Sequence, residues 1–373
     1  MRDALLEEAL PRAAEIVADV RARGDAALLD WTECLDGARP DSIRVAVAAL
    51  EAATLDEEAL VALSHLARAV EAFVRPQRPP DVELEAVLGV RAARRWLPLA
   101  SVGVYVPGGR APLISSLAMA VVPAQVAGVA RIAVATPKPS EAMLAAACAL
   151  GVDEVYAVGG AQAVAAFAYG TESIPRVDKI VGPGNRFVTA AKLLVSAAVA
   201  IDLPAGPSEV VVIADASAPR AQVLADLLAQ AEHGPDCVAV LFTTDASLAA
   251  AASDLVAESH KVGSVEEALA LAEEYAPEHL ELWVENAAAL ADRVRNAGTV
   301  FIRTSAVVGD YAAGATHVLP TGGLARGAGG MGLETFLKPV QLVEAIDLEA
   351  ARAIGLPLAR VEGMERHAEA LRA

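Results

Sequence analysis

The sequence predicts an α/β protein made of two Rossmann-like parallel-sheet globules, with helical extensions at both ends. Three observations carry this. Between residues 101 and 201, short apolar runs alternate with helical patterns of roughly 10 to 15 residues, the rhythm of parallel strands joined by right-handed crossovers. After Ile201 the rhythm restarts and runs to Ile302. Glycine-rich turns close three strands of the first series: Pro107-Gly108-Gly109, Gly159-Gly160 and Gly182-Pro183-Gly184.

Taken in order, residues 1–37 read as helix, with Ile16, Val20, Leu28 and Leu29 on one side. A second helix covers 48–75 and stops before Pro76, where 76–80 is a turn or linker. Short strands follow over 82–106, ending in Ser101-Val102-Gly103-Val104-Tyr105-Val106. Then come helix 113–127, strand 132–135, helix 141–150, strand 154–158, a helix from Ala161, and strand 179–181. The second series has strand 209–214, helix 219–233, strand 238–242, helices 246–257 and 264–275, strand 280–284, helix 287–296 and strand 299–302. One globule is expected to interrupt the other. Residues 1–104 with 208–330 would form the first, 105–207 the second, and 331–373 a tail.

Composition narrows the function. A chain of 373 residues suits two domains. The formal charge of -18 argues against nucleic acid or an anionic membrane as a main partner. No apolar run reaches the roughly 18 residues of a membrane span, and no basic and apolar leader marks secretion. Cys34, Cys148 and Cys237 are odd in number and far apart, which suits a reducing cytoplasm and no disulfide framework. With only six histidines, metal or acid/base chemistry must draw on those and on carboxylates.

The chain turns on Gln230-Ala231-Glu232-His233-Gly234-Pro235-Asp236. Val223, Leu227 and Gln230 share a helical row, and Gly234-Pro235 stops the helix. Gln230 and His233, three apart, face one way. Either the imidazole caps a helix end, or amide and imidazole make half of a metal site where the helix C-terminus favours a cation. Glu278-His279 joins a carboxylate and an imidazole at a strand edge, either a polar turn or an acid/base pair. Asp310 lies in a Gly- and Ala-rich loop and suits a metal or a cap. His317 reads as structural, and Cys237 as a strand residue. The three glycine turns are ordinary βα turns or phosphate cradles; none is the Gly-x-Gly-x-x-Gly fingerprint.

With these residues laid out, the chain resembles the histidinol dehydrogenase family. Seven blocks match in order: Val102 to Gly109, Val158-Gly159-Gly160-Ala161-Gln162-Ala163, Gly182-Pro183-Gly184-Asn185, Pro204-Ala205-Gly206-Pro207-Ser208-Glu209, Gln230 to Asp236, Ala276-Pro277-Glu278-His279-Leu280, and Gly309-Asp310-Tyr311. The match is strong over 99–343 and looser outside. The resemblance implies that Gln230, His233, Asp310 and His367 bind one zinc per subunit, and that Glu278 and His279 are the catalytic acid/base pair. It implies substrate contacts at Ser208, Gln230, His233, His279, Asp310, Glu362 and His367, and NAD contacts at Tyr105, Gln162 and Asn185. The implied reaction is oxidation of L-histidinol through the aldehyde to L-histidine with two NAD, in a homodimer whose tails cross to complete each other's sites. Two imidazoles, an amide oxygen and a carboxylate are suitable ligands for zinc.

The chain departs from the family pattern in three places. The leading arm looks trimmed, 258–261 bridges a region where the family has more residues and a strand, and the chain stops soon after His367. These put the edge of the second sheet and the extent of the dimer contact at issue. Two other readings stand beside this one: a paralogue oxidising another small polar alcohol with the same zinc and NAD blocks, and a non-catalytic α/β ligand-binding protein. Retention of both Glu278 and His279 speaks against the last.

Overall fold

The structure, a computed structural model, describes residues 2–108, 111–234, 236–255 and 258–373. Gly109 and Pro235 of the expected motifs lie outside the described residues. The N-terminal helices are Arg2–Arg23, Asp25–Asp36, Val47–Ala52 and Glu57–Val74. The first expected helix is broken at Gly24, whose φ of 58° takes it out of the helical region. The second is broken between Ala52 and Glu57.

Strands β1 (Val82–Val87) and β2 (Val90–Pro98) form an antiparallel hairpin. The first parallel sheet follows: β3 (Ser101–Tyr105), β4 (Arg131–Ala135), β5 (Val155–Tyr156), β6 (Lys179–Val181) and β7 (Ala200–Ile201). Its spatial order is β5-β4-β3-β6-β7. The second contains β8 (Glu209–Ala214), β9 (Val238–Thr243), β10 (Glu258–Lys261), β11 (His279–Trp283) and β12 (Thr299–Ile302), in the order β10-β9-β8-β11-β12. Last in the chain, β13 (Leu337–Ala345) runs antiparallel to β2 over its whole length. Helices Glu349–Val361 and Glu365–Arg372 pack on each other at the C-terminus.

Both parallel sheets are covered on both faces, which is why β3, β8 and β11 read as nearly unbroken buried runs. One face of the first sheet packs Val102, Val104 and Val134 against Leu63, Leu66 and Val70 of the helix Glu57–Val74, with Leu117 and Val121 of the helix Ile114–Ala127. The other packs Ala133 and Ile180 against Ala163, Phe167 and Ala190, and against Ala13, Ile16 and Val20 of the first helix. The second sheet has its own two cores, around Val211 and Leu282 on one face and Val212 and Leu227 on the other.

The packing draws the partition differently from the sequence expectation. Residues 2–74, grouped above with 208–330, instead cover the sheet of β3 to β7, and β3 itself is that sheet's central strand. The two parallel units therefore follow one another along the chain. The physical reason is coverage. A parallel sheet must bury both faces, and the apolar stripe Ala13-Ile16-Val20 supplies a partner for an alanine-rich face. Glu258–Lys261 is also more than a bridge: it is an edge strand paired in parallel with β9. The tail is anchored as well, because Met331, Leu333 and Phe336 before β13, and Leu337 at its start, are buried in the first core. The helix expected over 287–296 is only Ala287–Ala291, and the helix Arg186–Val195 and strand β7 had no counterpart in the sequence reading. No helix among the described residues is long and apolar enough to cross a membrane.

Candidate active site between the two sheets

A cavity of about 430 Å³ lies between the globules. The first sheet contributes Pro107 after β3, Ser116 from the helix Ile114–Ala127, and Pro183, Gly184 and Asn185 after β6. The second contributes Ser208 before β8, His233 and Cys237 before β9, Glu278 and His279 at the start of β11, and Asp310 and His317.

Each of these is held by its own local structure. The helix Arg220–Ala231 buries Val223, Leu227 and Gln230 on one face, and the chain then leaves through Gly234 at φ 138°. His233 sits in the turn between, its N–H donating to the Gln230 carbonyl at 3.3 Å. Asp310 is not in an open loop as expected; it lies in the last turn of a short helix, Ala306–Tyr311. That helix is tied to both neighbours at its start. Ser305 Oγ donates to Asp226 Oδ1 at 2.7 Å, and the Ala306 N–H to Glu281 Oε1 at 2.6 Å. Asp226 is on the Gln230 helix and Glu281 is two residues beyond His279, so the three elements that carry Gln230, His279 and Asp310 meet at one buried acidic pair.

Glu278 and His279 are both buried, with His279 Nδ1 3.8 Å from Glu278 Oε2. Burial lifts the Glu278 carboxyl to about 8, although the Glu209 N–H (2.8 Å) and the Ser208 hydroxyl favour its ionised form. Burial, reinforced by His317 and His233, lowers His279 to about 3, so its ring is neutral near pH 7. Its Nδ1 has no hydrogen-bond partner. Asp310 is raised by burial to about 6, with His233 opposing.

Gln230, His233, His279 and Asp310 also line a small void of about 20 Å³ beside the cavity. Gln230 Nε2 is buried and unpartnered, while its Oε1 is 3.5 Å from Ser208 Oγ. Turning that amide exchanges nitrogen for oxygen in the void. The donors present (amide, imidazole and carboxylate) thus suit a cation that they do not enclose alone. Among the described residues, no three His, Cys, Asp or Glu side chains are grouped closely enough in one chain to hold a metal. His367, on the last helix, and Glu362, in the turn between the two C-terminal helices, are exposed and do not line the cavity.

Of the three expected NAD contacts, Asn185 lines the cavity and caps the helix Arg186–Val195, its Oδ1 accepting from the Phe187 and Val188 N–H groups at 3.0 and 3.1 Å. Tyr105 and Gln162 are buried behind the Gly159-Gly160 turn, where the Tyr105 hydroxyl accepts from the Gly160 N–H at 3.3 Å. Both polar atoms of the Gln162 amide lack partners.

The sequence reading missed two groups. His317 is in the cavity wall, its Nε2 2.9 Å from Ser116 Oγ on the other globule and its Nδ1 3.4 Å from Asp310 Oδ1. In a chain with six histidines that position was a usable signal; its short loop setting hid it. Cys237 precedes β9 and faces the cavity, where burial raises its thiol pKa.

Two doubly wound sheets facing one cleft, with a buried carboxylic acid beside a neutral imidazole, define an α/β enzyme. The chain belongs to the histidinol dehydrogenase family: the family model matches residues 2–263 and 258–373. It is 44% identical to histidinol dehydrogenase of Parasynechococcus marenigrum over 96% of this chain and 89% of that one. Identity with the Deinococcus radiodurans enzyme is 46%, over 95% and 88%. A solved histidinol dehydrogenase from Elizabethkingia anophelis superposes with a TM-score of 0.88 at 35% identity, covering 97% of this chain and 91% of that one. A succinate-semialdehyde dehydrogenase from Burkholderia pseudomallei (TM-score 0.52, 18% identity, coverage 91% and 89%) shares the fold alone.

Proposed function

We propose that the protein oxidises L-histidinol through L-histidinaldehyde to L-histidine with two NAD and one zinc ion per site, in the cytoplasm. The observation that carries this is the meeting of Glu278 and His279 with Ser208, Gln230, His233 and Asp310 around the cavity and the small void beside it. Gln230, His233 and Asp310 would hold the zinc, with His367 of a partner subunit as fourth ligand. When bound, the ion would supply a template for the substrate's imidazole and amine.

The chain's own groups do the rest. Neutral His279 accepts the hydroxyl proton as hydride leaves to the nicotinamide. Glu278, with a pKa near neutrality, can both take and give a proton. It takes one from the water that adds to the aldehyde, and His279 serves again in the second oxidation. Ser208 and the Glu209 N–H orient the Glu278 carboxyl. Tyr105, Gln162 and Asn185 form the dinucleotide edge.

A homodimer with crossed tails fits what one chain leaves open. Glu362 and His367 are exposed and outside the cavity lining, near exposed Leu358, Val361 and Met364 in sequence. NADH formation by purified protein with L-histidinol, with and without chelator, tests the reaction; no turnover with a zinc-loaded sample would refute it. Rescue of a histidine auxotroph separates histidinol from another small alcohol. Inactive His233→Ala and His367→Ala homodimers, unfolded and remixed, should regain about a quarter of wild-type activity through hybrid dimers. Hybrids without activity would place His367 in its own chain's site.

A further inference from the structure

Across the cleft from the acid/base pair, at the carboxyl end of β6, lies a buried ion pair that the proposed chemistry does not use. Lys192, on the helix Arg186–Val195, pairs with Asp202, just after β7; their side chains are 1% and 0% exposed. Apolar replacement of such a pair is often neutral or stabilising, so stability alone is a weak reason for it. Its hydrogen bonds give a better one. Lys192 Nζ donates to the Gly182 carbonyl at 3.0 Å, and Asp202 Oδ2 accepts from the Gly182 N–H at 2.8 Å. Two opposite charges thus grip both polar groups of one peptide residue.

That residue occupies a special place. The first sheet reverses its strand order between β3 and β6, and ligands of open sheets bind outside the carboxyl ends there. Gly182 is the first residue after β6. Its φ is 112°, and a Cβ would collide with the Tyr105 carbonyl at the end of β3. Gly184 and Asn185, immediately beyond, form cavity wall. Pro183 fixes one φ of this turn, but Gly182 and Gly184 on either side of it leave the backbone free to move about that point.

We propose that Lys192 and Asp202 are positioning residues for the dinucleotide: by fixing the Gly182 peptide they hold the turn 183–185 in its binding shape before NAD arrives. Charge-assisted bonds are about twice as strong as neutral ones, and a preformed wall spares the ligand the ordering cost. The proposal rests on the reading of this edge as the NAD site.

The test uses full-length, zinc-loaded protein. The double variant Lys192→Met/Asp202→Asn removes both charges together, avoids the orphan charge of either single variant, and leaves an acceptor for the Gly182 N–H. In fluorescence titration with NADH its dissociation constant should rise about tenfold or more. The kcat at saturating NAD, the KM for the alcohol and the zinc content should stay within about threefold, which a general loss of structure would not allow. Unchanged NADH affinity in a folded double variant overturns the proposal. If that variant does not fold, hydrogen exchange on the wild-type protein decides: the Gly182 amide should exchange as slowly as those of β3, and exchange at surface-turn rates overturns the proposal. Asn185→Ala separates the two levels. Unaltered NADH binding in Asn185→Ala removes the NAD edge itself and this proposal with it. Weakened binding there, with normal binding in the double variant, removes the ion-pair role alone.

Discussion

The two parallel sheets share one wiring and are used at opposite ends. In each, the first strand is central, the next two add on one side and the last two on the other. The first sheet offers its carboxyl edge to the cavity, through Pro107 after β3 and Pro183 after β6, as open sheets usually do. The second offers its amino edge, through Ser208 before β8 and His279 at the start of β11. The difference is electrostatic. At a carboxyl edge helices begin, and the N-terminus of Arg186–Val195, capped by Asn185, carries partial positive charge. At an amino edge helices end, and Arg220–Ala231 delivers Gln230 and His233 at its negative end, which suits a cation. One cleft therefore has an anion-favouring wall and a cation-favouring wall. The other switch point of the second sheet is closed: Asp215 accepts from Ser217 N–H at 2.8 Å and from Glu285 N–H at 2.9 Å.

If the walls are independent, zinc removal should abolish turnover while NADH affinity, read by fluorescence, stays within about twofold. Loss of both together would show one wall, not two. Next in size, His279→Ala should lower kcat by about 10²- to 10⁴-fold on alcohol and aldehyde alike, with zinc retained. Glu278→Gln should slow aldehyde oxidation more than alcohol oxidation; equal losses on both substrates would count against the division of labour. A smaller effect belongs to the first wall. Asn185→Ala should weaken NADH binding about tenfold and cost about 1 kcal/mol from the lost cap, with alcohol KM unchanged.

The smallest effect belongs to the closed end. Burial alone would raise the Asp215 pKa, but bonds from Ser217 and the Glu285 N–H outweigh it and hold it below the usual range. A depressed carboxyl contributes stability above its unfolded pKa of about 3.9 and loses it as pH falls through the folded value. Asp215→Ala should therefore cost about 1–2 kcal/mol at pH 7, less below about pH 4, and leave activity intact. A matching loss of activity would mean that both ends of the second sheet matter.

Strand and helix alternation was legible because the central parallel strands, β3, β8 and β11 above all, are buried on both faces and so read as compact apolar runs, whereas the more exposed edge strands β7 and β10 were not read as strands. Gln230, His233, Glu278, His279 and Asp310 sit at or near element ends, in three stretches where polar residues stand out, and all three were visible. What joins them was not. The Asp226–Glu281 pair that gathers the three elements lies inside a helix and a strand, and only the fold puts them together. His317 depends on a contact with Ser116, which no local pattern encodes. The N-terminal helices were placed on the wrong sheet because an amphipathic stripe states that a face is buried without naming its partner.

The antiparallel pairing of β2 with β13 bears on how the chain is made. Both parallel sheets lie between those two strands in sequence, so β2 emerges from the ribosome long before its partner exists. Until Leu337–Ala345 has been made, one edge of the β1–β2 hairpin has open backbone groups, the kind of surface on which chains aggregate. Arg94 and Arg95, together with Arg91, which also pairs with Glu83 of β1, line β2 with positive charge and oppose pairing with a second nascent copy. Chains truncated before Leu337 should stay dispersed, while the same truncations with the three arginines changed to threonine should aggregate during synthesis.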